Sequence, residues 1–292
     1  HQTLIIMNNS ITIVTAFFDI GRGKWNSENG HSQSFERTNN TYFKYFEKLA
    51  NLDNNMVIFT SSEFKDEVLA LRKNKPTHVI TLDLHKKFKF SLQKIAKIQN
   101  SDYFKQLIRP ELWHCPEYWS PEYVLINNIK PFFIKRAIDL NLVNSELVAW
   151  VDFGYIRNNA MGYGITEWSH DFDKNKLHFF SIKNTLDLTD EKAVLDAVLN
   201  NDPHIIGSTF VASTEKWPYF YSLIFKTQKD FISAGMIDDD QGVFLTCVSK
   251  EPSLFQLNYL GKSNWTNIFK LFNKGSKYSL ITRLGIHLKL IK

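Results

Sequence analysis

Cysteine is nearly absent from this 292-residue sequence: Cys115 and Cys247 stand far apart, and neither has a partner at metal-ligand spacing. A disulfide framework and a cysteine zinc module are therefore not expected, and a reduced cytoplasmic protein is the simplest reading. No run of about 18 apolar residues occurs, so no bilayer-spanning helix is predicted. The first residues lack the charged region and long apolar core of a signal peptide. His1 to Ile6 precede Met7, where strand-like patterning begins, and are read as a remnant outside the fold. An excess of charge of one sign is small too. A net charge of +5 and a pI near 8.9 fall short of a nucleic-acid-binding signature and favour an anionic ligand or surface.

What the sequence does have is apolar and aromatic mass. Hydrophobic residues make up 43%, enough for a sizeable core, and 24 Phe, 11 Tyr and 7 Trp exceed what packing alone requires. Flat rings stack on the faces of sugars and bases, which makes carbohydrate or nucleotide contact a candidate function. The chain opens with a strand from Ser10 to Phe18 ending at Asp19, then Gly21-Arg22-Gly23, a loop able to meet phosphate although its spacing is no dinucleotide or phosphate-loop fingerprint. A helix over Arg37 to Ala50, a strand over Met56 to Thr60, a helix over Ser62 to Lys73 and a strand over Thr77 to Leu82 follow. That β-α-β-α-β order predicts a parallel sheet with crossover helices.

The pattern loosens from Leu84 to Pro121. The basic run His85-Lys-Lys-Phe-Lys-Phe reads as a solvated helix or loop face, with a phosphate patch or peripheral membrane contact through such basic segments as the alternative. Trp113 to Trp119 reads as a ring-rich insertion bordering a cleft. His114 and Cys115 are expected to point to opposite sides of an extended chain and so not to form a catalytic pair. Tyr123 to Asn141 is a helix broken near Pro131 and decorated by Lys130, Lys135 and Arg136.

The chain then reaches Leu147 to Val151, an apolar run with no helical stripe that runs directly into Asp152, with Gly154 and Arg157 beyond. A carboxylate at the carboxyl edge of an α/β sheet stands where ligands bind and can hold a cation bridging a diphosphate. Gly154 is expected to let the backbone approach a ligand, and Arg157 offers a fork for phosphate. A strand over Leu177 to Ile182 and a helix over Asp190 to Leu199 lead to a further strand at His204 to Ser213, whose small residues Gly207, Ser208 and Thr209 allow close approach of a polar ligand. After an amphipathic helix over Lys216 to Ala234 come Asp238, Asp239, Asp240 and Gln241 at the start of another helix. Acidic residues suit a helix N-terminus, but three together repel one another unless a cation or polar substrate is near.

Ile13-Val-Thr-Ala-Phe-Phe-Asp-Ile-Gly-Arg22, Trp150-Val-Asp-Phe-Gly-Tyr155 and Asp239-Asp-Gln-Gly242 together resemble the HtrL/YibB-like family of bacterial proteins, found with lipopolysaccharide and capsule assembly genes. The resemblance runs from about Ile11 to Trp265, and that family in turn looks like GT-A glycosyltransferases. It implies a GT-A-like (Rossmann-like) α/β fold: a mixed, mostly parallel central sheet flanked by helices over residues 7–250, with a C-terminal extension over 251–292. It implies donor contacts from Thr15, Phe17, Arg22, Lys130, Asp152, Gly154, Tyr155, Arg157 and Lys262. Acceptor contacts fall to Gly207, Ser208, Thr209, Gln241 and Trp217, and catalysis to Asp240, then Asp239. Asp152 takes the place of the metal-binding Asp-x-Asp, with Mn²⁺ or Mg²⁺ as the expected cofactor. Gly154 stands where many such enzymes have a second Asp, so either another residue completes the shell or Arg22, Lys130 or Arg157 neutralises the diphosphate.

The expected activity is transfer of a hexose, galactose in the first instance, from a nucleotide diphosphate sugar, UDP-linked by expectation, to a saccharide or lipid-linked saccharide in lipopolysaccharide, O-antigen or capsule assembly. The site would lie in the cytoplasm, at the inner face of its membrane. A carbohydrate- or nucleotide-binding protein without turnover is the alternative. A glycoside hydrolase also needs two carboxylates, but has no use for a diphosphate site.

Overall fold

The computed structural model describes residues 10–291; the expectation for His1 to Ile6 lies outside them. Seven strands form one sheet, β1 (Ile11–Phe17), β2 (Met56–Thr60), β3 (Thr77–Thr81), β4 (Leu147–Val151), β5 (Leu177–Ser181), β6 (Ile205–Ser213) and β7 (Phe255–Tyr259), in the spatial order β3-β2-β1-β4-β6-β5-β7. Pairings β1·β2, β2·β3, β1·β4 and β5·β7 are parallel, while β6 runs antiparallel to both β4 and β5. The fold is thus the mixed, mostly parallel α/β sheet that was expected.

Both faces of the sheet are covered, which is why its inner strands read as unbroken apolar runs. On β4, Val148 and Trp150 join one core cluster while Leu147, Ala149 and Val151 join the other. The first face packs under helices Lys89–Gln99, Pro121–Asn128, Lys130–Asp139, Trp217–Ser233 and Asp240–Lys250; the second packs under Asn39–Ala50 and the irregular segment around Trp168. Arg72 is buried there, donating to the carbonyls of Ala50, Leu52, Asn54 and Pro76 and to Thr77 Oγ1. Burial lowers its pKa to about 10.

The helix expected to break near Pro131 is indeed two helices that meet at Ile129, because Pro131 cannot donate into a preceding turn. One feature departs from the sequence reading. The expected boundary at residue 250 does not separate the sheet from its extension, since β7 pairs along the whole of β5.

Candidate functional site

The ends of β1, β2, β3, β4, β5 and β7 fall on one edge of the sheet. Because β6 is reversed, its beginning reaches that edge too. Asp152 N donates to Ser208 O (2.8 Å), so the residue after β4 is tied to the start of β6. Here Lys130, the first residue of its helix, enters from above with 4% exposure. Its Nζ lies 2.5 Å from Asp240 Oδ2, 3.0 Å from Asp152 Oδ1 and 3.0 Å from Gly207 O. Trp150 Nε1 also donates to Asp152 Oδ1 (2.7 Å), orienting that carboxylate. Gly207 has to be glycine: a Cβ there would coincide with the Asp240 carboxylate.

The electrostatics follow from burial. Desolvation alone would lower the Lys130 pKa, but Asp152 and Asp240 more than offset it and hold the ammonium charged. Burial raises Asp240, opposed by Lys130 and assisted by Asp152. Asp238 and Asp239 are pushed well above the usual carboxylate range, by burial first and by neighbouring carboxylates second. Glu117 is raised by burial as well, and its Oε2 has no hydrogen-bond partner among the described residues. One ammonium thus faces two carboxylates directly, with three more acids close behind that burial drives towards their neutral form.

Asp152, Lys130, Asp240, Gly207 and Ser208 are therefore brought together. Thr209 and Thr15 are fully buried, and Thr209 Oγ1 donates to Ser208 O. Gln241, partly exposed, gives its N–H to Asp239 Oδ1 (2.9 Å), the N-terminal cap of its helix. Arg22 is held by Tyr42 Oη (2.8 Å) and Phe35 O (3.1 Å) and lies over the rings of Trp25 and Tyr123. Tyr155 Oη donates to Trp265 O (3.2 Å), which draws the C-terminal segment, with exposed Lys262, towards the same edge.

Other placements differ from expectation. Phe17 is enclosed by the rings of Tyr42, Phe43, Phe64 and Phe153 and offers no face to a ligand. Gly154 makes room for Tyr42 and Tyr45 rather than for a ligand backbone. Arg157 is exposed, its guanidinium 5.9 Å from the centroid of the Tyr45 ring. Trp217 follows the end of β6, which the reversed strand direction places at the opposite edge from Asp152, and it stacks in the core on Phe210. His114 and Cys115 do face each other, Nε2 to Sγ 3.6 Å, because the chain turns between two short helical segments instead of running extended. Burial raises that thiol, so the pair holds no ready thiolate.

Two groups escaped the sequence reading. Glu117 was hidden in the ring-rich insertion, and the signal that finds it is its burial. A cleft of about 390 Å³ lies beyond the ends of β1, β2 and β3, lined by Phe18, Asp19, Ser61, Asp83 and His85 among others. Its two aspartates, Asp19 after β1 and Asp83 after β3, were the available signal. Among the described residues no group of three or more His, Cys, Asp or Glu side chains is arranged to hold a metal ion. Both contacts to Asp152 land on Oδ1, leaving Oδ2 as the oxygen available to a cation.

The family model described as "Bacterial protein of unknown function (HtrL_YibB)" matches residues 9–274. The chain belongs to the HtrL_YibB family. Within it, Protein HtrL of Escherichia coli (strain K12) is 43% identical over 282 residues, covering 97% of this chain and 99% of that protein. The fold is also similar to mouse xyloside xylosyltransferase 1 in its apo form, over 91% of this chain and 95% of that one, at 11% identity and a TM-score of 0.42.

Proposed function

We propose that this HtrL_YibB protein is a glycosyltransferase using a nucleotide diphosphate sugar, UDP-hexose in the first instance, with a saccharide or lipid-linked saccharide of the bacterial envelope as acceptor. One observation carries the reading: a buried ammonium joins a half-exposed sheet-edge carboxylate to a second carboxylate held over a glycine. Burying such a set is costly and adds little to stability that apolar packing would not supply, so a role in binding or chemistry accounts for it better. A polar cleft of about 390 Å³ beyond the ends of β1, β2 and β3 is of a size for a nucleotide, on the same sheet edge, where α/β folds take their ligands.

In the proposed step the acceptor oxygen bonds to the anomeric carbon as the bond from that carbon to the diphosphate breaks. The acceptor proton passes to a carboxylate or to the departing phosphate. Asp240, paired with Lys130, supplies negative charge that favours oxocarbenium character. Lys130 positions both Asp240 and Asp152. Arg22 stands ready for a phosphate oxygen at the end of β1. A divalent cation fits this residue set only in part: Asp152 offers one oxygen, and the donor's phosphates would have to complete the shell, as Mg²⁺ sites commonly do. When bound it would neutralise diphosphate charge.

Incubation with UDP-hexoses, following free UDP, tests the reading. Slow UDP release that disappears in Asp152→Asn, with the melting curve unchanged, is the expected result. The near-complete burial of Asp240 favours a second reading, nucleotide-sugar binding without turnover. Donor binding with no UDP release, whatever acceptor is added, would establish that one. Absence of donor binding would reject both.

A further inference from the structure

The charge of the chain is unevenly placed. Residues 252–292 contain seven Lys or Arg and no Asp or Glu, so the net charge of +5 resides wholly in this segment and the preceding residues are slightly acidic. Within it, the helix Leu280–His287 starts from a Ser279 cap, with Thr282 N to Ser279 Oγ at 3.1 Å. It is seated through Ile286, 7% exposed, and through His287 Nε2 at 3.3 Å from Tyr163 Oη. The chain then turns back at Lys289, whose φ is 59°.

The outward side is apolar. Leu280 is 74% exposed, Ile281 83%, Leu284 58%, Leu288 59% and Leu290 77%. Positions 280, 281, 284 and 288 follow the i, i+1, i+4, i+8 spacing of one helix stripe, turned away from the protein instead of into it. Nothing among the described residues covers it. A contiguous apolar patch of this kind marks an interaction surface. Lys274, Lys277 and Lys289 beside it are exposed, and Lys270 has its pKa lowered by burial and by the nearby charge of Lys289.

We infer that the helix Leu280–His287 and its flanking lysines dock the protein on an anionic phospholipid surface, with the leucines entering the interface and the cations meeting the headgroups. A helix apolar on one side and purely basic around it lies in the plane of such a surface. A second copy is a poor occupant, since it would set two wholly cationic segments against each other. With Leu280 and Ile281 74% and 83% exposed, the stripe stands clear of its neighbours, which suits a bilayer better than a partner's helix. The inference is independent of glycosyl transfer. It does give that reading an acceptor, because the same segment packs on the loop after Asp152, with Tyr155 Oη donating to Trp265 O and Tyr278 Oη to Asn159 O. A lipid-linked saccharide would then be presented beside the candidate site.

Flotation of the full chain with phosphatidylcholine vesicles, with and without one quarter phosphatidylglycerol, tests it. Binding is expected only with phosphatidylglycerol. It should weaken at least about ten-fold in Ile281→Glu combined with Leu284→Glu, and several-fold in Lys277→Gln combined with Lys289→Gln or in high salt. All four side chains are exposed, and unchanged melting curves confirm that the variants fold. The lysine pair provides a second line should the glutamates disturb the helix. Equal binding to both vesicles, no binding to either, or binding indifferent to both variants overturns the inference. A dimer that the glutamate variant dissolves, without vesicle binding, overturns it in favour of self-association.

Discussion

Replacing Lys130 with Met keeps the length and apolar stem of the side chain and removes only the ammonium. The lost contacts are those at 2.5 Å to Asp240, 3.0 Å to Asp152 and 3.0 Å to Gly207 O. Asp152 is partly solvated and can recover with water, whereas the Asp240 side chain is 3% exposed and cannot. Breaking a buried pair in this way costs about 3–5 kcal/mol, a large share of the ~5–15 kcal/mol that holds a typical domain. The penalty depends on pH with a definite sign. Burial already raises the Asp240 pKa in the folded state, and without Lys130 it rises further, while the unfolded value stays near ~3.9. Between those two values the folded state binds more proton than the unfolded one, so stability falls as pH rises through that window. Lys130→Met is therefore expected to lose about 3–5 kcal/mol at pH 8 and clearly less at pH 5, measured by urea unfolding against wild type at each pH. Adding Asp240→Asn should restore most of the loss at pH 8, because the stranded charge is gone. A penalty below about 1 kcal/mol at pH 8, or one equal at both pH values, would refute the account of Lys130 as the partner of a buried ionised carboxylate.

Much of the scaffold was legible because inner strands announce themselves. β2 and β4 lie where their apolar runs ended, and the alternation of β-type and helical patterns gave the parallel half of the sheet. Strand direction was not legible. Nothing in Ile205 to Ser213 distinguishes a parallel strand from an antiparallel one when both faces are buried, and on that hidden choice depend both the meeting of Gly207 with Asp152 and the displacement of Trp217 to the far edge. β7 escaped for the opposite reason: at the sheet border only Phe255 is fully buried, and the remainder reads as polar loop. At the site, Asp152 could be found because a carboxylate directly after an apolar run is conspicuous. The burial of Lys130 could not. In sequence it matches Lys135, which is partly exposed and pairs with Asp139 one turn along the same helix, and only the crossing of that helix over the sheet edge tells the two apart. Asp238, Asp239 and Asp240 drew attention as a repelling cluster, and the structure resolves the repulsion by unequal means: Lys130 for Asp240, burial for the other two.

The remaining predictions address the parts separately. Gly207→Ala should expel the Asp240 carboxylate from its place and cost about 2 kcal/mol or more by urea unfolding, and a change within about 0.5 kcal/mol would mean that Asp240 can sit elsewhere. Arg72→Ala strands several buried carbonyl acceptors and should cost about 3 kcal/mol or more, without altering UDP binding to the folded protein; a loss under about 1 kcal/mol would show that the acceptors find other donors. A chelator should leave the melting temperature of the unliganded protein unchanged, yet diminish the stabilisation that UDP gives in the presence of Mn²⁺; a shift in the unliganded protein would reveal a metal site independent of the donor. The sharpest separation comes from the three aspartates. Asp239 is raised well above its ordinary pKa by burial, so between about pH 4 and that raised value the wild type loses stability as pH increases, and Asp239→Asn, whose amide still accepts from Gln241 N, escapes the loss. The amide variant should therefore gain on wild type as pH rises, with turnover little changed, and Asp238→Asn should behave alike. Asp240→Asn instead leaves Lys130 with Asp152 alone and should lower kcat about 10²-fold at unchanged donor Kd, since its charge acts mainly on the transition state. Equal and small kinetic effects at all three positions would remove Asp240 from the chemistry, whereas a defect confined to Asp239 would move the role one residue back along the chain.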